Sequence, residues 1–231
     1  MTPVDLDAQY LKEVGPVWNE LRGRLWHSTP IRRFASIIKA RAIEPSPGLP
    51  DGDLTWGATL SRALGAVSLF DFRQEEWAKI LRIWEGSGTA RRANIEPWSD
   101  FLSEGSPNKD WSPTVWFKFD QKQLPGFLPL TEMREAYLNG LEGEQRHKYM
   151  SVLEAGHRGP ISLDLCQSVI VICPTTVGEY QYEILPLHPL DEASARAAAI
   201  DYAWRDKFAE ESEVNSMSSG ERLFRGDFSL S

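Results

Sequence analysis

The segment VLEAGHRGPISLDLCQSVIVI, Val152 to Ile172, contains the pattern that decides the fold class. It begins inside a strand candidate that spans Lys148 to Ala155, and it then passes through the turn GHRGP and the short helical turn SLDLCQ. SVIVIC, Ser168 to Cys173, is a short run rich in β-branched residues, which is typical of a buried strand. The two strand candidates are therefore separated by short connections and not by a long crossover helix.

Outward from this segment, strands and helices follow in irregular order. Further strand candidates are GAVSLFDF (65–72), TVWFKFD (114–120) and EYQYEIL (179–185). Helical patterns cover residues 4–22, 73–86, 131–145 and 191–211, and residues 215–231 are expected to form a tail. There is no regular βαβ alternation, and no glycine-rich phosphate loop follows a strand. We therefore predict an α+β fold with a mostly antiparallel sheet and flanking helices.

Composition and charge restrict the classes of function. The 231 residues, 42% hydrophobic and 25% charged, suit a globular domain with a sizeable core. A net charge of -8 argues against extensive, salt-dependent binding of the nucleic-acid backbone. An early cluster of basic residues indicates either a local basic groove or a solvated helix face: Arg22, Arg24, Arg32, Arg33, Lys39 and Arg41.

The compartment and the cysteine chemistry also follow from the sequence. No apolar run approaches the ~20 residues that span a bilayer. The acidic start, Met1 to Tyr10, lacks the apolar core of a signal peptide, so we expect a cytoplasmic protein. Cys166 and Cys173 have neither metal-ligand spacing nor a paired framework, which predicts buried free thiols and not a disulfide. The four histidines are scattered, and we predict no metal site.

The stretch RLWHSTPIRRFASIIKARAIEP, Arg24 to Pro45, holds an unusual histidine before a helix pattern. Thr29 is a good N-cap, and Pro30 fits the first helical position, where its missing N–H costs nothing. The helix would turn four apolar residues to a core: Ile31, Phe34, Ile37 and Ile38. The helix start needs no functional explanation, which leaves His27 as the unexplained residue.

Three pieces of sequence could carry chemistry together. They are WHST (26–29), LSRALGAVSLFDF (60–72) and the segment that contains Glu154. Each has an ordinary structural interpretation on its own: a satisfied histidine, a core face at Ser68 and Phe70, and a solvated glutamate. Their order along the chain is more specific than any one of them.

The ordered triplet resembles the ADP-ribosyltransferase-like superfamily and is closest in pattern to the DarT-type DNA ADP-ribosyltransferases. In that superfamily a split sheet holds NAD in a central cleft. The first motif is often histidine, a small residue, then serine or threonine, which HST matches. LGAVSLFDFRQ is similar to the aromatic strand of the DarT branch. SVLEAGHRGPISLDLCQSVIVI is similar to its final segment, which carries the catalytic glutamate.

The resemblance covers roughly residues 24–175 and implies a division of the chain. It implies an N-terminal helical extension over 1–23, an ADP-ribosyltransferase-like domain with a split sheet over 24–190, and a C-terminal helix and tail over 191–231. It also implies an acceptor of ADP-ribose that is a nucleic acid, such as single-stranded DNA, or a protein. A toxin or phage-defence enzyme would have this activity.

The same resemblance implies the site. Glu154 would be the catalytic residue, since a carboxylate stabilises the oxocarbenium-like charge that develops when ribose separates from nicotinamide. His27 would bind a ribose hydroxyl, and the helix start at Thr29 would favour the pyrophosphate. The implied NAD-binding residues are His27, Ser28, Thr29, Arg62, Ser68 and Phe70, with Arg41 as a second candidate for the arginine.

Two other classes of function stay open. One is a non-catalytic binding or immunity module on the same fold, whose acidic charge would suit a basic protein partner. The other is a hydrolase that uses Glu154 with His157 as a second acid or base. The position of His27 and Glu154 is the main structural test of the transferase hypothesis: side chains that face one cleft would support it, and side chains on opposite faces of the sheet would count against it.

Overall fold

The structure is a computed structural model that describes residues 16–17, 19–45, 61, 64–73, 95–96, 103–106, 109–139, 150–151, 153–176 and 179–224. Four predictions fall wholly or mostly outside these residues: the helix over 73–86, most of the helix over 4–22, Arg62 and the end of the tail. The described residues of the N-terminal prediction, 16–17 and 19–21, are helical.

Besides the helical residues 16–17 and 19–21, the elements with described bounds are three α-helices, three 3-10 helices and twelve strands. The helices are α1 (Phe34–Ala40), α2 (Leu130–Asn139) and α3 (Leu190–Phe224). The strands are β1 (Leu25–Pro30), β2 (Ala42–Ile43), β3 (Ala66–Asp71), β4 (Ile95–Glu96), β5 (Ser103–Ser106), β6 (Lys109–Phe119), β7 (Phe127–Leu128), β8 (Met150–Ser151), β9 (Glu154–Arg158), β10 (Ile161–Ser162), β11 (Cys166–Thr176) and β12 (Glu179–Leu185). None of the helices in this part of the chain combines the length and apolar character of a membrane span.

One sheet organises the fold. Its strand order is β12-β11-β6-β1-β3-β9-β7, with β5 paired to β6 outside this path. Every pairing in it is antiparallel. β2 and β10 form a separate antiparallel pair, and β4 and β8 form a parallel pair. The described chain is thus α+β with a mostly antiparallel sheet, and that part of the prediction is confirmed.

One face of the sheet forms the main core. Apolar side chains alternate along each strand, so every second residue turns to this face. The strands contribute buried residues such as Leu25, Val67 and Phe117. From the helical side, Ile31, Phe34 and Ile38 are buried and Ile37 packs against them, as the sequence predicted, and Ala193 and Ala197 of α3 join the same core.

Aromatic residues cover the opposite face. Trp26, Phe70 and Trp116 are each at most 3% exposed. The ring centroids of Phe70 and Trp116 lie 5.3 Å apart, and Phe72 lies 6.1 Å from Trp116. The indole Nε1 of Trp26 donates to the carbonyl oxygen of Leu21 at 3.1 Å. Because this face is also buried, a polar side chain on it must find its hydrogen bonds within the protein.

Several element bounds agree with the sequence. β12 has the predicted bounds, β3 lies inside the predicted strand, and SLDLCQ contains a short 3-10 helix over Leu163–Leu165. β6 and β11 are longer than predicted, with 11 residues each. The prediction of a tail from residue 215 is wrong up to Phe224, since α3 continues to that residue.

The predicted helix start at Thr29 is wrong. Thr29 and Pro30 belong to β1, and the short 3-10 helix Ile31–Arg33 that follows has no side-chain cap. β1 pairs with β6 along its whole length, with Thr29 opposite Val115. Thr29 is 5% exposed there. A cap is worth about 1 kcal/mol, and the ladder with its buried side chains contributes more than that one bond.

The predicted turn GHRGP is also mostly strand. Gly156, His157 and Arg158 extend β9, and only Gly159 and Pro160 form the turn. β9 pairs with β3 on one side and with β7 on the other, and this double pairing holds the residues extended. Glu154 therefore begins a strand instead of ending one.

Candidate functional site

The three pieces singled out in the sequence lie on three adjacent strands. β1 pairs with β3, and β3 pairs with β9. Trp26, Phe70 and Glu154 are direct cross-strand partners, so their side chains form one row on the aromatic face. Phe70 is 3% exposed within the aromatic cluster, which supports packing as its role.

Glu154 is a buried carboxylate surrounded by hydroxyl donors. It is 2% exposed. Its Oε1 accepts from the hydroxyl of Ser61, from the backbone N–H of Ser61 at 3.3 Å, and from the hydroxyl of Ser68 at 3.3 Å. Ser61 is itself 1% exposed. All three contacts direct donors at one oxygen, which orients the carboxylate and compensates part of its lost hydration.

His27 is neutral and its tautomer is fixed. Its Nδ1 lies 2.8 Å from the carbonyl oxygen of Ser68, so Nδ1 carries the proton and Nε2 keeps its lone pair. The imidazole centroid is 6.1 Å from that of Phe117. Burial among apolar groups lowers the pKa of His27 to about 4. The Ser68 carbonyl opposes this shift, and the positive charge of Arg33 adds to it.

β1 and β3 separate beside the candidate site. They pair only at Leu25 and Trp26, although β1 continues for four more residues along β6. At this opening the imidazole of His27 forms a hydrogen bond to the backbone carbonyl of Ser68. The sheet therefore opens between the strand that carries His27 and the strand that carries Ser68.

His27 and Glu154 leave the sheet on opposite faces. Trp26 shares a face with Glu154, and strand alternation turns His27 the other way, towards Phe117. The expectation that both side chains face one cleft is therefore wrong, and this arrangement counts against the transferase hypothesis. Ser68 connects them instead, because its carbonyl accepts from His27 and its hydroxyl donates to Glu154.

The other predicted NAD-binding residues are not all brought to this site. Ser28 shares the aromatic face with Ser68, and Thr29 turns to the main core. Arg41 is exposed and forms an ion pair with Asp164 at 2.9 Å. α1 has seven residues and begins after a 3-10 turn, so its start offers no support for a pyrophosphate site at Thr29. Arg62 lies outside the described residues.

His157 is held by the main chain. Its Nδ1 lies 3.1 Å from the carbonyl oxygen of Gly159 and donates to it. Its Nε2 accepts from the backbone N–H of Gly126 at 3.3 Å. His157 also turns to the face opposite Glu154, since the two are three residues apart on β9. Both nitrogens are engaged, which leaves the hydrolase hypothesis without its second acid or base.

Ser61 is the residue that sequence reasoning missed. It lies within LSRALGAVSLFDF, which the sequence had singled out, but no pattern there distinguishes it from any other serine. Its importance comes from a contact across 93 positions of sequence. Only the tertiary structure brings it to Glu154.

The remaining chemistry of the described residues is limited. No group of three or more histidine, cysteine, aspartate or glutamate side chains among them could hold a metal ion. Cys166 and Cys173 are free, as the sequence predicted, but they are half-buried and not fully buried. Partial burial raises the pKa of each thiol to about 12. Both thiols are therefore protonated and unreactive in the folded protein at neutral pH.

Comparison with known proteins gives no family: no protein-family model, no curated protein and no solved structure matches this chain.

Proposed function

We propose that this protein is an NAD-dependent ADP-ribosyltransferase in which Glu154 is the catalytic residue. The observation that carries the proposal is the opening of the sheet between β1 and β3, next to a buried, hydroxyl-supported glutamate on β9. A split sheet, a histidine strand, a hydroxyl strand and a glutamate strand are what the resemblance to the ADP-ribosyltransferase-like superfamily implies. In support of the proposal, β1, β3 and β9 are neighbours in the antiparallel sheet of this protein.

The chemistry assigns a defined task to Glu154. The bond from C1′ of the ribose to the nicotinamide nitrogen breaks, and nicotinamide leaves with the bonding electrons. The ribose then carries a positive charge that the carboxylate stabilises. A nucleophile of the acceptor forms the new bond to C1′, and its proton passes to the carboxylate. Ser61 and Ser68 hold the carboxylate in position through their hydroxyl groups.

His27 has a different role from the one expected of a residue that faces Glu154. Its Nδ1 holds β3 through the carbonyl of Ser68, the residue whose hydroxyl supports Glu154. Its unprotonated Nε2 can accept a hydrogen bond from a ribose hydroxyl at the opening between the strands. Only the acceptor function of Nε2 requires the neutral imidazole, which the lowered pKa of His27 maintains at pH 7.

The acceptor is proposed as a macromolecule, either nucleic acid, with single-stranded DNA as the first to test, or protein. The DarT-like pattern of the sequence supports nucleic acid, and the net charge of -8 is unusual for that class of substrate. A toxin or phage-defence enzyme in the cytoplasm is the biological role that fits this activity.

The test uses the full-length protein with NAD labelled in its adenylate phosphate. Single-stranded DNA, RNA and a protein lysate are offered as separate acceptors, and nicotinamide release is followed by chromatography. We expect Glu154→Gln to lose at least ~100-fold in rate, the usual effect of removing a group that stabilises transition-state charge. Glu132→Gln is the matched control, since Glu132 is exposed on α2 and pairs with Arg158. If no acceptor is labelled and no nicotinamide is released, or if Glu154→Gln retains full activity, the proposal fails.

A second candidate is a binding or immunity module that has the same fold without catalysis. The specific observation in its favour is that Glu154 is 2% exposed and His27 turns to the other face. In this case the hydroxyls serve only to compensate a buried charge. Calorimetry with NAD separates the two: heat of binding supports the transferase, and its absence together with tight capture of one basic protein supports the module.

A further inference from the structure

A groove of about 390 Å³ lies at the end of the sheet where β1 begins and where β3 and β6 end. Its volume is in the range of small-ligand sites. Its charged and amide side chains are Arg24, Arg73, Lys118, Asp120, Gln121, Lys122 and Gln167. The sequence pointed to Arg24 in a basic cluster but gave no reason to join it to residues from β6 and beyond. Tertiary structure brings these cations together.

Two of the four cations in the groove are already neutralised. Arg73 donates to both carboxylate oxygens of Asp71, whose side chain is 1% exposed. The guanidinium carbon of Arg73 lies 5.6 Å from the centroid of the Phe127 ring. Arg24 pairs with Glu20. These two side chains build the wall of the groove, and their charge is mostly balanced within the protein.

The other two cations, Lys118 and Lys122, are not balanced in this way. Among the residues that the structure describes, no carboxylate lies within ion-pair distance of either ammonium group. Asp120 is the one carboxylate among the described residues that line the groove, and its Oδ1 accepts the backbone N–H of Lys122 as the cap of a 3-10 helix. Within this part of the chain, the groove thus holds two ammonium groups without an ion-pair partner against one carboxylate. The groove therefore has excess positive charge on a chain whose net charge is -8.

We propose that this groove binds the phosphoryl group of an anionic ligand, with Lys118 and Lys122 as its ligands. Ammonium groups provide point-charge donors for phosphate oxygens, and the side-chain amides of Gln121 and Gln167 add neutral donors. An acidic protein repels anions at long range, so binding depends on this local concentration of charge. The phosphoryl group can belong to NAD or to a phosphodiester acceptor.

The position of the groove relates it to the candidate site. Lys118 is the cross-strand partner of Trp26, and Trp26 shares its row with Glu154, so Lys118 and Glu154 start from the same face of the sheet. They are three strands apart, which is ~14 Å at the usual strand spacing. The anion site does not rest on the catalytic role of Glu154, and its test leaves that residue unchanged.

The test measures the binding of inorganic pyrophosphate to the full-length protein by calorimetry at low and at physiological salt. We expect Lys118→Gln and Lys122→Gln each to weaken binding by about 10-fold, because each removes a charge-assisted hydrogen bond. Lys39→Gln makes the same charge change on α1, away from the groove, and should leave the affinity unchanged. Circular dichroism of each variant verifies that the fold is intact.

Competition distinguishes the sources of the phosphoryl group. Displacement of pyrophosphate by NAD assigns the groove to the cofactor substrate, and displacement by a single-stranded oligonucleotide but not by NAD assigns it to the acceptor. The proposal is overturned if wild type does not bind pyrophosphate, or if both groove variants bind it as tightly as Lys39→Gln does. Pyrophosphate binding is measured without any transfer of ADP-ribose, so failure of the transferase proposal and failure of the anion site are separate results.

Discussion

Lowering the pH from 7 to 4 should destabilise the wild-type protein more than a His27→Asn variant. The native imidazole is held neutral in apolar surroundings, with its pKa lowered to about 4 from the ordinary 6.5. In the unfolded chain the same imidazole is hydrated and titrates near 6.5. The asparagine amide retains an N–H donor close to the position of Nδ1 and does not titrate, so it isolates the effect of the proton.

The sign and the magnitude follow from linkage. Between pH 6.5 and pH 4 the unfolded state binds a proton that the native state does not, so the free energy of unfolding rises with pH in this window. The contribution of neutral His27 is fully present above pH 6.5 and is lost as the pH falls towards 4. A difference of ~2.5 pKa units corresponds to about 3 kcal/mol.

Urea unfolding followed by tryptophan fluorescence gives the free energies at pH 7.5, 6, 5 and 4.5, and the nine tryptophans supply a strong signal. Carboxylates titrate in both proteins and cancel in the difference between them. We expect the advantage of wild type over His27→Asn to shrink by ~2–3 kcal/mol across this range. A difference that stays constant with pH would refute the burial of a neutral His27.

Three further predictions concern the surroundings of the site. Gly126→Ala should lower the free energy of unfolding by about 1–3 kcal/mol, measured in urea, because its new Cβ would lie 2.7 Å from the backbone carbonyl oxygen of Arg158. Ser61→Ala should lower the free energy of unfolding by about 1.5–3 kcal/mol in the same assay, because the buried carboxylate of Glu154 loses a hydroxyl donor. An unchanged free energy would mean that the hydrogen bond from Ser61 to Glu154 does not stabilise the fold. Cys166 and Cys173 should resist a thiol reagent at pH 8 in the native protein and react in urea, because burial raises the pKa of both thiols. Rapid labelling of the native protein would contradict that burial.

Local signals were sufficient for some elements. EYQYEIL alternates apolar and polar residues and forms β12 with the predicted bounds, and the apolar run of GAVSLFDF contains β3. The apolar spacing of Ile31, Phe34 and Ile38 identified a face that is indeed buried. These features depend on residues close in sequence, and the periodicity of side chains records them directly.

Local signals failed where a distant strand competed with them. Thr29 and Pro30 have the chemistry of a helix start, but the ladder with β6 makes them the end of β1. GHRGP has two glycines and a proline, but pairing with β3 and β7 keeps most of it extended. In both cases a pairing partner far along the chain outweighs a preference worth about 1 kcal/mol.

The sequence by itself predicted the α+β class and the apolar faces, and it identified His27, Ser68 and Glu154 as candidate site residues. Only the tertiary structure decided that their strands are neighbours, that β1 and β3 separate after Trp26, and that His27 and Glu154 take opposite faces. The physical reason is that a shift of register by one residue exchanges the two faces of a strand, and the register is set by long-range pairing. The same long-range pairing brings Ser61 to Glu154, and no sequence pattern records that contact.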